Sequence, residues 1–166
     1  MITVRRAEPA DADTAVNLLR RSITELCIDH HHGDADALAE WLADKTPQHF
    51  LSWLANKDFF CVVAEAHDRL TGVGAVHRNG KIALCYLMPG TQRQGIGTAI
   101  YRALEAQART WGLRVLKLES TVSARAFYER CGFKPVGVAG AAMGTSPLYQ
   151  YEKRLEVQPR TDAEPL

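Results

Sequence analysis

The feature that most constrains the fold is a glycine-bearing loop placed between an apolar run and a helical pattern. The apolar run extends from Ile82 to Met88, and the loop is Pro89-Gly90-Thr91-Gln92-Arg93-Gln94-Gly95-Ile96-Gly97. Apolar residues then recur at helical spacing, namely Ile96, Ile100, Leu104, Ala108 and Trp111. The first amides of a helix have no intrahelical acceptor and lie at the positive end of its dipole, so this arrangement predicts a binding site for a phosphate.

Two common phosphate-binding loops do not fit the residues present. A P-loop requires lysine and then serine or threonine directly after its last glycine, whereas Gly97 is followed by Thr98 and Ala99. A dinucleotide-binding loop requires Gly-x-Gly-x-x-Gly early in a βαβ unit, and the other glycine pair, Gly72 and Gly74, lies inside a strand-like run. That pair predicts a bulge, or another element packed closely against the strand.

Two blocks of the sequence resemble the GNAT superfamily of acetyl-CoA-dependent N-acetyltransferases. The first, Gln92-x-x-Gly95-x-Gly97, is similar to the family's pyrophosphate-binding loop, Gln/Arg-x-x-Gly-x-Gly/Ala. The second is Ala124-Arg125-Ala126-Phe127-Tyr128-Glu129-Arg130-Cys131-Gly132-Phe133, which is similar to the family's Ala-x-x-Phe-Tyr-x-x-x-Gly-Phe segment. The blocks stand in the family's order and at its distance, and with the elements around them they cover about residues 2–155.

The resemblance implies an α/β (α+β) fold in a single domain, with a mixed, mostly antiparallel sheet of about seven strands flanked by helices. The sheet is expected to splay at the acetyl-CoA site. Composition agrees, because a chain of 166 residues, 46% hydrophobic and 23% charged, is long enough to bury one core. We assign residues 1–155 to the domain, and residues 156–166, which are polar and contain proline, to a C-terminal tail.

Periodicity and turn signals predict the order of the elements. A strand at residues 2–6 precedes three helices: a long one after Pro9, a short one over 36–42, and one capped by Thr46 and Pro47. Residues 29–34 are predicted to break the first helix as a loop. The remaining strands are predicted at 59–66, 72–78, 81–88, 114–119, 133–138 and 148–155, with a short helix at 123–130. Asn79-Gly80 predicts a hairpin that makes the strand over 81–88 antiparallel to the one before it.

In the resembling family, the pantetheine arm of acetyl-CoA lies in a gap between the strands that correspond to residues 81–88 and 114–119. Backbone groups of the first strand pair with it as a substitute strand. The resemblance therefore implies acetyl-CoA as the acetyl donor, and no metal is expected. The residues that it assigns to cofactor binding are Leu87, Met88, Gln92, Arg93, Gln94, Gly95, Ile96, Gly97 and Thr98.

Acetyl transfer requires an unprotonated amine, a polarised thioester carbonyl and a proton for the departing thiolate. Tyr128 matches the family's tyrosine acid, and a phenol with a pKa near ~10 is protonated at neutral pH. Many relatives carry a glutamate on the strand that corresponds to residues 81–88, and this chain has no carboxylate there. Glu119 and His77 are the candidates for the base, and a water chain without a unique base is the alternative.

The region after the first helix overhangs the acceptor cleft in the resembling fold, so we expect Glu25, Asp29 and His30 to contact a cationic amine. Adjacent histidines on a flexible loop seldom converge on one ion, so the run of three histidines here does not predict a metal site. His31 and His32 are interpreted as parts of a solvated loop.

Other residues are assigned to the structure rather than to the chemistry. Trp41 and Trp53 lie at helical apolar spacing, which predicts core positions. Thr121 stands where many relatives carry asparagine, and Ser120-Thr121 is predicted to cap the helix that follows. The cysteines are scattered without a Cys-x-x-Cys pair, which predicts buried, reduced thiols at Cys27, Cys61, Cys85 and Cys131.

Charge and hydropathy argue against several classes of partner. A formal net charge of +1 gives no overall attraction to nucleic acid or to an anionic membrane surface. Residues 1–6 contain no signal-peptide apolar stretch, and no run approaches the length of a membrane span, so a cytoplasmic protein is expected.

The sequence therefore predicts an N-acetyltransferase that moves an acetyl group from acetyl-CoA to a primary amine by direct attack. The acceptor is a small molecule or a peptide, and a homodimer is compatible with the same interpretation. A non-catalytic module that binds or senses acyl-CoA is the alternative, because the strand carboxylate of many relatives is missing.

Overall fold

A computed structural model describes residues 1–140 and 144–156, and they form seven strands and six α-helices. In chain order these are β1 (Thr3–Arg6), α1 (Ala12–Leu26), α2 (Ile28–His31), α3 (Ala35–Leu42), α4 (Pro47–Ala55), β2 (Phe59–Ala66), β3 (Arg69–His77), β4 (Ile82–Leu87), α5 (Ile96–Thr110), β5 (Val115–Ser120), α6 (Arg125–Arg130), β6 (Lys134–Ala139) and β7 (Leu148–Arg154). Of the tail predicted at residues 156–166, all but Glu156 lie outside the described residues.

The strands form two antiparallel sheets, which an isolated β-bridge joins. The larger has the order β1-β2-β3-β4, and the smaller has the order β5-β7-β6. They meet where Lys81 forms a parallel bridge with Lys117, directly before β4. The predicted fold class, a mostly antiparallel sheet of about seven strands that splays between β4 and β5, is confirmed.

Helices cover both faces of the larger sheet. Helix α5 buries Ile100 and Leu104 against one face, in a cluster that extends to the smaller sheet through Tyr151. Helices α1 and α4 bury Leu18 and Phe50 against the other face. None of the described helices combines the length and the apolar character needed to cross a lipid bilayer.

The glycine pair in β3 allows α5 to approach the sheet closely. A Cβ at Gly72 would lie 2.4 Å from Ile100 Cδ1, and a Cβ at Gly74 would lie 2.3 Å from Ile100 Cγ2. Both distances are below van der Waals contact, so only glycine fits under Ile100. Close packing, one of the two interpretations predicted for this pair, is confirmed.

The hairpin at Asn79-Gly80 forms as predicted, whereas two other local predictions are wrong. Residues 29–34 are not simply a loop, because Ile28–His31 form a short helix whose last turn closes with a left-handed residue, His32, at φ 53°. The predicted Ser120-Thr121 cap is absent, since α6 begins after Ala124 without a side-chain cap. The Ser120 hydroxyl instead donates to the Thr121 carbonyl.

Replacing Gly74 with alanine should destabilise the protein by about 1–3 kcal/mol, because Ile100 must move out of a packed position. Urea denaturation of Gly74→Ala measures this change in the free energy of unfolding. Gly140→Ala is the control, since a Cβ at Gly140 meets nothing within 4 Å. In the double variant Gly74→Ala/Ile100→Ala the two losses should be less than additive, because the new methyl group fills part of the space that Ile100 leaves. Equal stabilities of Gly74→Ala and Gly140→Ala would contradict the close approach of α5.

Candidate active site

The candidate active site is the gap that opens between β4 and β5. At its closed end the Lys117 amide donates to the Gly80 carbonyl at 2.9 Å. Gly80 has a φ of +95°, and a Cβ there would lie 2.5 Å from the Val115 carbonyl oxygen. Beyond this point the strands diverge into separate sheets, and the gap becomes a cleft of about 470 Å³. This volume is in the range of small-molecule binding sites.

A β-bulge shapes the wall that β4 contributes to the cleft. Ala75 pairs with Leu84 and Val76 pairs with Ile82, so Ala83 has no partner on β3. Ala83 lines the cleft. A bulge turns the side chains that follow it to new directions. After it, Leu84 packs with the α1 side of the core, while Cys85 packs with the α5 side.

The last residues of β4 differ in which backbone groups are free. The Met88 amide donates to the Thr71 carbonyl of the neighbouring strand, and the Met88 carbonyl accepts from the Thr91 amide and hydroxyl. Along an antiparallel strand, the amide and carbonyl of successive residues point alternately toward one neighbouring strand and away from it. The amide and carbonyl of Leu87 therefore face away from β3, toward the gap. The backbone of Leu87 is therefore available to a ligand lying along β4, and the same alternation makes that of Cys85 available.

In the loop between β4 and α5, three residues have backbone φ angles in the left-handed region. Gly90, Arg93 and Gly95 have φ values of 90°, 62° and 83°. The Gln92 side-chain oxygen accepts from the Gly90 amide at 2.8 Å, which closes the first turn of the loop. Left-handed residues that alternate with right-handed ones direct successive amides to the same side, and such concave amide sites bind anions.

The first turn of α5 supplies the amides of this site. The first helical hydrogen bond runs from the Ala99 amide to the Gly95 carbonyl, and the amides of residues 95–98 have no acceptor in the described part of the chain. A Cβ at Gly97 would lie 3.2 Å from the Phe127 ring, so glycine at this position also allows α6 to pack beside the loop. The loop and α6 thus form one side of the cleft.

Seven of the nine residues predicted to bind the cofactor line the cleft. They are Leu87, Gln92, Arg93, Gly95, Ile96, Gly97 and Thr98. The other two, Met88 and Gln94, lie directly beside lining residues but are not part of the lining. The Met88 sulfur accepts from Arg21 on α1 at 3.6 Å, which places this methionine on the α1 side of β4.

Tyr128 lies in the cleft on α6 and is buried. Its ring packs edge-on against Phe127 and Phe133, with centroid distances of 5.1 and 5.9 Å. Burial raises the pKa of Tyr128 well above its ordinary value, and the neighbouring Cys85 thiol acts in the same direction. Burial likewise raises the pKa of Cys85 to about 12. Both groups are therefore neutral at physiological pH, and the phenol keeps the proton that an acid must donate.

A buried tyrosine of β7 holds α6 in place. The Tyr151 hydroxyl accepts from Arg125 Nε and donates to Glu129 Oε1, each at 2.9 Å. Arg125 also lies over the Tyr149 ring, with its guanidinium carbon 3.7 Å from the centroid. These contacts join both ends of α6 to the smaller sheet, so the position of Tyr128 is fixed by that sheet.

The two candidates for the base lie in different places. Glu119 is exposed on β5 and lines the cleft. His77 is at the far end of β3 and is not among the lining residues, because its ring packs edge-on against Phe59 at 4.8 Å. Its Nδ1 accepts from the Asn79 amide at 3.0 Å, so the histidine supports the hairpin.

The residues predicted to contact the acceptor are not among those that line the cleft. Glu25 is exposed and pairs with Arg21, one turn earlier on α1, at 2.8 Å. Asp29 accepts from the Ser123 amide at 2.7 Å through Oδ2, while its Oδ1 is buried without a partner among the described residues. Cys27 and Ser123 do line the cleft, so the Asp29 segment borders it from outside.

The three adjacent histidines have three different surroundings. The His30 ring packs edge-on against Trp41 at 5.0 Å, and its Nδ1 is buried without a described partner. Burial lowers the pKa of His30, and the adjacent Asp29 acts in the opposite direction. The exposed His32 lies beside the Ser146 hydroxyl, with Nε2 and Oγ 2.7 Å apart. The described residues contain no cluster of histidine, cysteine and carboxylate groups arranged to hold a metal ion.

The interpretation of His31 as a solvated residue is wrong, because it is 2% exposed. Its Nδ1 accepts from the Gly33 amide at 3.0 Å, and its Nε2 contacts the carbonyls of Ile23 and Thr24 at 3.1 and 3.2 Å. These partners require a neutral ring that carries its proton on Nε2. His31 satisfies carbonyls at the end of α1, where no further helical turn is available to them.

Sequence reasoning missed one wall of the cleft. It consists of Ser22, Leu26, Cys27, Trp41 and Tyr86. Leu26 and Trp41 had only the helical apolar spacing that is typical of core residues, and that spacing carries no sign of a cleft. The core prediction is correct for Trp53, which packs against Phe50, and incomplete for Trp41.

Comparison with known proteins agrees with this geometry. Residues 27–155 match the acetyltransferase (GNAT) domain. An amino-acid acetyltransferase of Azotobacter vinelandii is 33% identical over 78 residues, which are 47% of this chain and 18% of that protein. The chain therefore spans less than a fifth of the length of this curated relative.

Solved structures share the fold over nearly the whole chain. A GCN5-related N-acetyltransferase of Rhodopseudomonas palustris has a TM-score of 0.80 at 20% identity, over 92% of this chain and 95% of the other. The PaiA N-acetyltransferase of Thermoplasma acidophilum, solved in complex with coenzyme A, has a TM-score of 0.77 at 19% identity, over 93% and 99%. At these identities the likeness is one of fold.

A carboxylate in the first turn of α5 should weaken the binding of coenzyme A. Thr98→Glu places a negative charge beside the amides of residues 95–98, where the pyrophosphate is expected, and the affinity should fall roughly tenfold or more, about 1.4 kcal/mol. Calorimetric titration with CoA measures this. Thr98→Gln is the neutral control of equal size. Thermal unfolding should show that both variants are folded, since glutamate is favourable in a first helical turn. Equal CoA affinities of the two variants would contradict the assignment of the loop.

Proposed function

The chain belongs to the family of GNAT acetyltransferases, and we propose that it transfers an acetyl group from acetyl-CoA to a primary amine, with Tyr128 as the general acid. The observation that carries this proposal is a neutral, buried phenol beside the strand along which the thioester is expected to lie. The divergence of β4 from β5 supports it, since the gap has the shape of a site for an extended ligand.

In the proposed binding mode, acetyl-CoA lies with its pyrophosphate on the amides of residues 95–98 and its pantetheine arm along β4. The free amide and carbonyl of Leu87 pair with the arm as a neighbouring strand would. Gln92 holds the loop in shape, and Arg93, at the rim, is suited to a phosphate of the nucleotide. The thioester then reaches the bulge at Ala83, where β4 has backbone groups without a strand partner.

The proposed reaction is a direct attack of the amine on the thioester, in which an intermediate forms and then collapses. The amine nitrogen attacks the thioester carbonyl carbon, a C–N bond forms, and the carbonyl oxygen takes up the negative charge. When the intermediate collapses, the C–S bond breaks and the sulfur leaves with its electron pair. Tyr128 donates its proton to this sulfur, so CoA departs as a thiol.

Glu119 is the proposed acceptor of the proton that the amine must lose. It is the only carboxylate among the described residues that line the cleft. Because Glu119 is exposed, a water molecule between it and the amine is the expected route for the proton. The carboxylate also attracts the ammonium form of the acceptor to the cleft, so binding and reactivity respond oppositely to protonation of the amine.

Glu25, Asp29 and His30 are proposed to act as a roof over the acceptor side. Asp29 joins this roof to the loop that leads into α6, through the Ser123 amide. Ser146, two residues before β7, fixes the roof from the other side, since its hydroxyl donates to the Asp29 carbonyl and its amide donates to the His30 carbonyl. The roof thus limits the size of the acceptor.

Removing the Tyr128 hydroxyl should slow acetyl transfer by roughly 10²-fold or more and leave CoA affinity nearly unchanged. Tyr128→Phe keeps the ring contacts with Phe127 and Phe133 and removes only the proton donor. Steady-state kinetics with a confirmed amine, together with calorimetry for CoA, separate the two effects. Tyr149→Phe is the matched control, because that tyrosine packs outside the cleft lining. Undiminished turnover of Tyr128→Phe would show that the tyrosine only packs.

Replacing Glu119 with glutamine should lower kcat/KM for the amine most strongly below the pKa of the amine, where its ammonium must lose a proton on the enzyme. The difference from the parent should shrink as pH rises and free amine becomes abundant. A pH profile of both proteins from neutral to alkaline pH measures this. A constant ratio across the profile would contradict the base role. If CoA binds but the parent acetylates no amine, the chain is an acyl-CoA-binding module instead.

A further inference from the structure

The wall formed by Ser22, Leu26, Cys27, Trp41 and Tyr86, which we call the acceptor wall, lies across β4 from the loop between β4 and α5. We call that loop the phosphate loop. Tyr86 packs with the core under α1, whereas its neighbour Leu87 packs with the core under α5. With acetyl-CoA on the α5 side, the acceptor wall is the surface left for the amine. This step rests on the proposed function.

The acceptor wall contains no charged group. Burial raises the pKa of Cys27 to about 12, so its thiol is neutral at physiological pH. The Tyr86 hydroxyl is also neutral, because burial raises its pKa. Behind Trp41, the lowered pKa of His30 favours a neutral ring as well.

The charged residues near this wall do not line the cleft. Glu25 and Arg21 pair with each other on the exposed side of α1. Asp29 Oδ2 accepts from the Ser123 amide, and its Oδ1, buried without a partner among the described residues, lies outside the lining. The cations in the lining belong to the other side of the cleft. Arg93 is in the phosphate loop, and Arg130 follows Phe127 by about one helical turn, on the side of α6 that contacts Gly97.

From this distribution of charge we infer that the acceptor is a small primary monoamine with an apolar body, aromatic or aliphatic. Its single ammonium pairs with Glu119, and its body lies against Leu26, Trp41 and Tyr86. A second ammonium, as in a polyamine or an aminoglycoside, would lie unpaired against the apolar wall, which is costly. A free amino acid is disfavoured for the same reason, because no cation of the wall pairs with its carboxylate.

Exposed apolar residues at the contact between the roof and the α6 loop agree with an apolar acceptor. Ile28, next to Asp29, is 55% exposed, and Val122, next to Ser123, is 43% exposed. The cleft of about 470 Å³ must hold the pantetheine arm too, so the acceptor is small.

The test compares hexylamine with hexamethylenediamine, which have the same chain and differ in the second ammonium. Acetylated product is measured by mass spectrometry at saturating acetyl-CoA, with phenethylamine, spermidine, kanamycin and glycine in the same panel. The parent should favour hexylamine over the diamine by roughly tenfold or more in kcat/KM, and phenethylamine over spermidine, kanamycin and glycine.

Two variants at one position isolate the charge of the wall. Leu26→Asp should lower kcat/KM for hexylamine and raise the diamine-to-hexylamine ratio roughly tenfold, because the new carboxylate pairs with the second ammonium. Leu26→Asn, of equal size without charge, should leave that ratio as in the parent. Leu51→Asp, on an exposed leucine of α4, should change neither rate.

The outcomes separate this inference from the proposed function. Preference of the parent for the diamine, spermidine, kanamycin or glycine over the monoamines would overturn the inference while the enzyme remains an amine acetyltransferase. The same ratio in Leu26→Asp and Leu26→Asn would overturn it too, because the wall would then not face the acceptor. If CoA binds but no amine of any class is acetylated, the proposed function itself is overturned.

Discussion

The hydrogen bond from the Lys117 amide to the Gly80 carbonyl determines where the two sheets part. It holds the first residues of β4 and β5 together, while each strand then follows the twist of its own sheet. The separation places β4 between two cores, with α1 on one face and α5 on the other. Because β4 keeps only one strand neighbour, its free edge faces the cleft, and both proposed ligands meet along it. Gly80 is required for this arrangement, since any side chain there would collide with the Val115 carbonyl.

Burial has opposite consequences for the groups on the two sides of the cleft. Around Tyr128 and Cys85 it holds ionisable groups neutral, which suits the role proposed for the Tyr128 phenol, to give up a proton only when a thiolate forms beside it. At the start of α5, the amides of residues 95–98 have no acceptor in the described part of the chain, so an anion can accept from them. The cleft thus has a polar end that suits the proposed nucleotide and an apolar end that suits the proposed chemistry, along a single strand.

Features that depend on neighbours in sequence were predictable, and features that depend on distant contacts were not. The loop from Pro89 to Gly97, the Asn79-Gly80 hairpin and the close packing at Gly72 and Gly74 follow from local backbone requirements and are confirmed. The burial of His31 depends on carbonyls at the end of α1, seven and eight residues away, which polarity alone does not indicate.

The acceptor side was less predictable for the same reason. Trp41 becomes part of the cleft because α3 packs against α1 at the edge of the cleft, a tertiary relation that helical spacing cannot express. The bulge at Ala83 arises from a register shift against β3 and has no glycine or proline to mark it. Glu25 looked suited to an ammonium by charge, yet a guanidinium one turn earlier on the same helix takes its carboxylate.

The close approach of Phe127 to Gly97 couples two parts of the candidate site. Phe127 immediately precedes Tyr128, so the amides of residues 95–98 and the Tyr128 hydroxyl belong to one packed unit. These are the groups proposed to meet the pyrophosphate and the sulfur. The separation between them is then a property of the protein. In the proposed binding mode, a donor must match that separation with the length of its own arm. A thioester on a shorter or longer arm would occupy the phosphate site and still fail to bring its sulfur to Tyr128.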